Sequence, residues 1–346
     1  MSASWREVVE KTLEWMAVPS VGSDTARLRE MIWDDLGRMG IERTRTRKGL
    51  IYATIRGRDD TRHRLVTAHI DTLGAMVKDI RDNGRLRLTQ IGGYAWGSVE
   101  GENVTVFATG GKEVTGTLLP DKASVHVFSD EAREMLRTED SVEVRLDADV
   151  RCRQDTLDLG IRVGDVVAFD TRTRFLEDSG YLKSRYLDDK VCVGIMYSAM
   201  KELVESGEEI PFTTHFMFSD YEEIGHGAYG WPQECAEFLA VDIGPVGPGH
   251  TSDEKKVTIV AKDSRTPYSV PFRRRLERLA EEHHIDYATD VHFRYGSDAC
   301  AAMQQGFDMD FACIGLGVDA THHYERTHVD GIQNNLDLLL AYVRSN

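Results

Sequence analysis

The sequence predicts an α/β fold interrupted by a small β-rich insert. Three observations carry that prediction. Apolar strand-like runs alternate with helical patterns on both sides of the chain's middle, the mark of helices packed on a largely parallel or mixed sheet. From about residue 75 to 168 the helical patterns give way to short strand-like runs divided by Gly-Gly and Asn-Gly turn signals, the profile of a small barrel or sandwich. The length, 346 residues, is long for one compact domain and comfortable for two.

Taken in order, Val8, Val9, Thr12, Leu13, Met16 and Ala17 share one face at helical spacing, and Pro19 stops that helix. A second helix starts near the N-cap residues Ser23 and Asp24, carries Leu28, Met31, Ile32, Leu36 and Met39, and closes at Gly40. LIYATIRG (50–57) and RLVTAH (64–69) read as strands. In the insert, GRLRLTQIGG, NVTVFATGGKEVTGTLL, SVEVRLDAD and GDVVAFD read as strands, with one helical stretch at 129–137. Beyond it a helix opens at Asp188, and PFTTHFMFSD, AEFLAVDIG and KKVTIVAKD are strands. A helix spans 270–283, YATDVHF and DFACIGLGV are strands around a short helix, and an amphipathic helix covers 331–344. Neither internal repeats nor low-complexity segments interrupt this order.

Composition narrows the function classes. The net charge of −16, from 42 basic and 58 acidic residues, repels phosphate backbones, so nucleic acid is not an expected partner. A charged fraction of 29% with only 8 prolines speaks against extended disorder. The five cysteines form no C-x-x-C pair, which fits free thiols in a reducing compartment rather than a disulfide framework or a cysteine zinc site. The N-terminal stretch lacks the basic start and apolar core of a signal peptide, and no run approaches 18 apolar residues. A cytoplasmic chain with no membrane span is expected.

The residues that carry chemistry gather at strand ends. His69 and Asp71 follow RLVTA, Glu222 and Glu223 follow FTTHFMFSD, Asp242 ends FLAVD, and His322 and His323 follow FACIGLG. In an open α/β sheet that edge is where ligands bind. Asp188 and Asp189 open a helix, where backbone N–H groups also point at a ligand. Taken singly each signal is weak: a Glu-Glu pair is usually a solvated face, and Asp188-Asp189 is usually a helix N-cap. Together they put carboxylates and imidazoles on one rim, where they would repel or take up protons unless a cation held them. Mixed imidazole and carboxylate donors suit zinc, cobalt or manganese, and a carboxylate shared by two ions is the arrangement of two-metal hydrolysis.

AHIDTLG, YLDDK, SDYEEIGHGA, VDIG and YGSDA, in this order, resemble the tetrahedral di-metal aminopeptidases, the group that holds glutamyl and deblocking aminopeptidases. The resemblance covers nearly the whole chain, including GRLRLTQIGG and IRVGDVVAFD of the insert. It implies a phosphorylase/hydrolase-like α/β/α catalytic domain built from 1–73 and 169–346, with a small β-barrel domain, 74–168, that mediates dimer contacts. Dimers of such chains assemble into a hollow dodecamer. It implies two divalent metal ions per subunit, with His69, Asp188, Glu223, Asp242 and His322 as ligands. Asp188 bridges the two, and its bond to Asp189 is often cis. Asp71 hydrogen-bonds the second ring nitrogen of His69, and Glu222 is the general base. The reaction is hydrolysis of the N-terminal peptide bond of a short peptide, with the α-amine and the carbonyl oxygen on the metals.

Two departures stand out. Cys192 occupies a position that is usually glycine, one turn along the Asp188 helix. The last motif is THHYERTH, in which His322 matches by its spacing to Glu325 and His323 and His328 remain alternatives. Such a branch leaves a second reading open, an amidohydrolase acting on a small N-acylated or peptide-like metabolite. A third, a non-catalytic assembly protein with structural ions, is opposed by Glu222, which no structural site needs. Some relatives carry cellulase names, yet nothing here resembles a sugar cleft with aromatic platforms.

Overall fold

Two separate sheets arise from these apolar runs. The computed structural model describes residues 3–230, 232 and 234–346. Two units divide the chain, Met1–Asp71 with Arg172–Asn346, and Thr72–Thr171. The first holds strands β1 (Glu42–Arg45), β2 (Ile51–Ile55) and β3 (Gly57–His69). Beyond the insert it holds β10 (Arg174–Leu176), β11 (Tyr181–Ser184), β12 (Ile210–Ser219), β13 (Cys235–Val246), β14 (Val257–Lys262), β15 (Tyr287–Val291), β16 (Asp310–Asp319) and β17 (Glu325–His328). Its helices are α1 (Trp5–Met16), α2 (Ala26–Arg38), α6 (Leu187–Ser206), α7 (Val270–Glu282), α8 (Asp298–Gln304) and α9 (Val329–Arg344). The second holds β4 (Gly74–Ile80), β5 (Leu86–Ile91), β6 (Asn103–Ala108), β7 (Lys112–Pro120), β8 (Val142–Leu146) and β9 (Val166–Phe169), with short helices α3 (Val125–Phe128), α4 (Asp130–Glu134) and α5 (Arg153–Asp158).

In the first unit the strands lie in the order β1-β2-β12-β3-β13-β16-β17-β11-β10, with β14 beside β16 and β15 beside β14. The neighbours β12, β3, β13 and β16 run parallel. A parallel strand covered on both faces needs apolar side chains in both directions, so these strands read as near-continuous apolar runs. On one face Leu65, Met217, Phe238, Ala240, Phe311 and Cys313 pack with Ala299 and Ala302 of α8. Helix α6 lies against β3 and β13, and α9 against β12, β14 and β16. Helix α6 is buried along most of its length, which is why its sequence shows little polar face.

The second unit closes on itself in the order β4-β5-β8-β7-β6-β9. Val77, Leu88, Val106, Leu118, Val144 and Val167 fill its interior. Closure leaves the paired strands without a free edge. A mixed α/β unit carrying a small closed barrel is the architecture the sequence predicts.

Local differences have physical causes. Helix α2 begins after Thr25, not at Ser23 or Asp24, because Ser23 adopts φ +82 and the Thr25 hydroxyl donates to Asp220 (2.5 Å). Gly40 does close it, at φ +71. The helical stretch expected at 129–137 is only the short α4 (Asp130–Glu134), separated from α3 before it by Ser129 at φ +53. Strands β10, β11 and β17 are three or four residues long and show no alternating apolar pattern in the sequence. Among the described residues no helix is long and apolar enough to cross a membrane.

Candidate metal centre

Three turns, the end of β3 and the interior of β13 deliver the rim residues. His69 is the last residue of β3, and Asp71 follows two residues on. Asp71 then shapes the next delivery: its Oδ1 accepts the Glu222 N–H (3.1 Å) and its Oδ2 the Glu223 N–H (3.3 Å). These bonds set the 3-10 turn Glu222–Ile224 that follows β12, with Tyr221 before it at φ +70. Tyr186, at φ +68, turns the chain into Asp188 at the start of α6, and the Asp188–Asp189 peptide is cis. Asp242 is not at the end of its strand. β3 stops pairing with β13 at Thr67–Ala240, while β13 continues beside β16, so Asp242 lies beyond β3's pairing and inside β13. His322 sits in the turn between β16 and β17 at φ +59. Left-handed backbone at Tyr186, Tyr221 and His322 is uncommon for residues with a side chain, and it clusters where side chains are held for function.

The turns bring one cluster together. Asp188 faces two imidazoles, with Oδ1 3.1 Å from His69 Nε2 and Oδ2 3.4 Å from His322 Nε2. His322 Nε2 is also 3.6 Å from Glu223 Oε2, and His69 Nε2 is 3.7 Å from Glu222 Oε2. His69, Asp188 and Glu223 each offer an atom within 4.8 Å of the others, and so do Asp188, Asp189 and Asp242. His69 Nδ1 lies 3.0 Å from the main-chain oxygen of Asp71 and 3.5 Å from its carboxylate. The carbonyl is the nearer of the two to this ring, and the carboxylate beside it also serves the Glu222 and Glu223 amides. Of the histidines that share the last motif, His323 accepts from its neighbour's amide and His328 caps α9, so only His322 joins the cluster.

Negative charge is in excess here. Burial pushes Glu222 up, and pushes Glu223 to about 8. Burial, and then the charge of Asp188, push Asp242 to about 7. Asp188 alone is held low: burial works against it, but the rings of His322 and His69 outweigh burial. Burial lowers His69, yet Asp188 and Asp71 raise it well above its usual value. Glu223 Oε1 and Asp189 Oδ1 are buried without a hydrogen-bond partner. Carboxylates that would hold protons near neutral pH, with orphaned oxygens beside imidazole nitrogens, are a donor set that a divalent cation satisfies.

Residues 49–338 match the family described as M42 glutamyl aminopeptidase. The chain is 44% identical, over 99% of both chains, to the Bacillus subtilis (strain 168) protein YhfE, whose name places it provisionally among the aminopeptidases. The chain belongs to the M42 aminopeptidases. Its fold is that of an aminopeptidase from Desulfurococcus kamchatkensis (TM-score 0.88, 19% identity, 99% of this chain and 96% of that one). It is also that of the Pyrococcus horikoshii TET1 peptidase, which assembles into a tetrahedron or a large octahedral shell (TM-score 0.83, 22% identity, 98% and 100%).

Within this M42 chain a cavity of about 590 Å³ opens over the cluster, lined by Asp188, Glu222, Glu223, Asp242 and His322 together with Arg265, Arg294 and Tyr295. In the sequence Glu325 serves only as a spacing mark for His322. In the fold it accepts two backbone bonds, Oε1 from the His322 N–H (3.0 Å) and Oε2 from the Asp188 N–H (3.2 Å). One buried carboxylate thus positions two rim residues from behind. Asp298, in YGSDA, accepts from Ser219 and from Thr67 (3.3 Å), tying β12, β3 and α8 beneath the cluster. Cys192 directs Sγ at the main-chain oxygen of Asp242 (3.0 Å). Its thiol braces the Asp242 backbone.

Proposed function

We propose that this M42 chain is a two-metal aminopeptidase that removes N-terminal residues from short peptides. One observation carries the reading: the two oxygens of Asp188 face different imidazoles, His69 and His322, with Glu223 and Asp242 beside them. Two ions sharing Asp188 would take His69, Asp242, Glu223 and His322 as their other ligands, and zinc, cobalt and manganese all suit these donors. Such ions, when bound, lower the pKa of a water and polarise the scissile carbonyl.

The chain's own groups do the rest. Glu222 borders the cavity and is raised by burial, so it is suited to take a proton from the attacking water and pass it to the leaving amine. Asp71 fixes the amides of Glu222 and Glu223, and Glu325 fixes those of His322 and Asp188. Held in this way, donors and base need little reorganisation at the moment of reaction. The cavity also carries Arg265, bonded to Gln304 (2.9 Å), and Arg294, whose guanidinium has no hydrogen bond or ion pair among the described residues. A free guanidinium matches a carboxylate, which favours an acidic first residue.

The test compares dipeptide amides with Glu, Leu or Lys first, each with a free and an N-acetylated amine, on the same metal-loaded enzyme. A free amine offers a lone pair that a bound ion would accept, and acetylation withdraws it. We expect kcat/KM to fall on acetylation, and the Glu amide to lead among the free ones. Equal or faster hydrolysis of the acetylated forms supports the amidohydrolase reading instead.

A further inference from the structure

A second cluster of metal-type donors lies outside this site. His250 follows β13 in the loop 247–252. Asp290 lies in β15, and His292 follows that strand. His250 Nδ1 and His292 Nδ1 are 3.3 Å apart. Asp290 Oδ2 is 3.4 Å from the first and 4.0 Å from the second. His292 and Asp290 are buried and His250 is half-buried. None of the three belongs to the Asp188 cluster, and the expected aminopeptidase chemistry uses none of them.

We propose that His250, Asp290 and His292 form a third divalent-cation site, for zinc or a similar borderline metal. The spacing is the first reason. Zinc bonded tetrahedrally at about 2.0–2.1 Å sets ligand atoms about 3.3–3.4 Å apart, and two of the three separations are 3.3 and 3.4 Å. The second reason is the direction of the rings. Two Nδ1 atoms face each other at a distance long for a hydrogen bond. If both are unprotonated, their lone pairs repel unless a cation lies between them. The third reason is preorganisation. Asp290 Oδ2 accepts from Thr251 N–H (2.9 Å), Ser252 N–H (2.9 Å) and the Ser252 hydroxyl (2.8 Å), and Oδ1 accepts from Val291 N–H (2.7 Å). The backbone bonds hold the carboxylate against the two rings, and the Ser252 hydroxyl is the donor free to turn away when an ion binds.

Position gives the site a purpose. Arg294 to Ser297, which line the cavity, begin two residues after His292, and Pro245, also on the cavity, precedes the His250 loop. The His292 ring packs against that of Tyr295 (centroids 5.2 Å). An ion held here joins the two loops and fixes a wall of the cavity without touching the reacting atoms.

The test counts metal on the full chain. Stripped protein is reloaded with Co²⁺ or Zn²⁺, passed through a desalting column and analysed for metal per chain. We expect His250→Ala to bind one equivalent less than the wild type while keeping wild-type circular dichroism. In an Asp188→Asn background, which depletes the rim, one equivalent should persist and be lost when His250→Ala is added. His250 is chosen because it is the least buried of the three and its loss spares the core; His292→Ala is the second variant. Wild-type metal content in both His250→Ala and His292→Ala overturns the proposal. The readout is the difference between wild type and variant, so it stands or falls separately from the catalytic reading of the rim.

Discussion

One strand, β13, carries two buried carboxylates in opposite electrostatic settings. Glu237, near its start, is matched from within the protein. Arg275 donates to both of its oxygens (3.0 and 2.6 Å), Arg64 donates at 3.2 Å, the Tyr342 hydroxyl at 3.0 Å, and Arg62 adds a further bond. Burial pushes Glu237 up, but Arg275 and Arg64 outweigh it and hold the carboxyl below its usual value. Asp242, farther along, meets Asp188 and Asp189 in place of arginines, and burial with the Asp188 charge pushes it to about 7. The same strand therefore ends a self-neutralised network at one side of the sheet and an under-neutralised one at the other. A fold can close the first alone, whereas the second is built for a cation from outside.

Three changes test that contrast. Glu222→Gln removes the base but leaves His69, Asp188, Glu223, Asp242 and His322 intact. Turnover should fall about 10²–10⁴-fold with metal content unchanged. Wild-type turnover in this variant would reassign the base.

Glu237→Gln attacks the self-neutralised end and leaves Arg64, which is fully buried, without its partner charge. Loss of stability of about 3–5 kcal/mol is expected, the usual cost of breaking a buried ion pair from one side. Metal content of the folded fraction should not change. Chemical denaturation with metal analysis checks both, and an unchanged unfolding midpoint would mean that the network contributes little.

The pH dependence of the metal-free protein reports the other end. Glu223 at about 8 and Asp242 at about 7 hold protons in the folded, metal-free state that the unfolded chain, with values near 4.5 and 3.8, has released. Between those limits the folded state binds more protons, so raising the pH lowers its stability. His69, raised above its usual value, acts in the same direction. His215 and His292, held at about 4 by burial, oppose this trend below pH 6.5. Thermal stability of metal-free protein should therefore weaken most clearly from pH 6.5 to pH 8, and added metal should reduce the slope, part of which Glu325 at about 8 retains. A metal-free protein that grows more stable over that range would contradict the account of the rim.

Much of this was legible in the sequence, and the gaps follow a pattern. Most rim residues could be read because they end, follow or lie within the apolar strands β3, β12, β13 and β16, which are buried on both faces and so stand out, while Asp188 could be read from the helix it opens. The positioning by Glu325 was not legible, because a carboxylate that serves two backbone amides leaves no periodic trace. Asp71 was expected to reach His69 with its carboxylate; its main-chain carbonyl lies nearer the ring (3.0 against 3.5 Å), and no residue type encodes that added contact. The pairing of Glu237 with Arg64 and Arg275 was also hidden, since those residues are far apart in the chain and meet only once the sheet and α7 are assembled. The trio of His250, Asp290 and His292 was hidden for the same reason.

If the rim works only with divalent ions, metal content and activity must rise and fall together. The protein is stripped with a chelator, its metal determined by elemental analysis, and hydrolysis of a free-amine dipeptide amide followed before and after adding Co²⁺, Zn²⁺ or Mn²⁺. The account predicts that stripped protein is inactive and that activity returns as the ions bound through His69, Asp188, Glu223, Asp242 and His322 are replaced. Full activity in protein shown to be free of metal would contradict it.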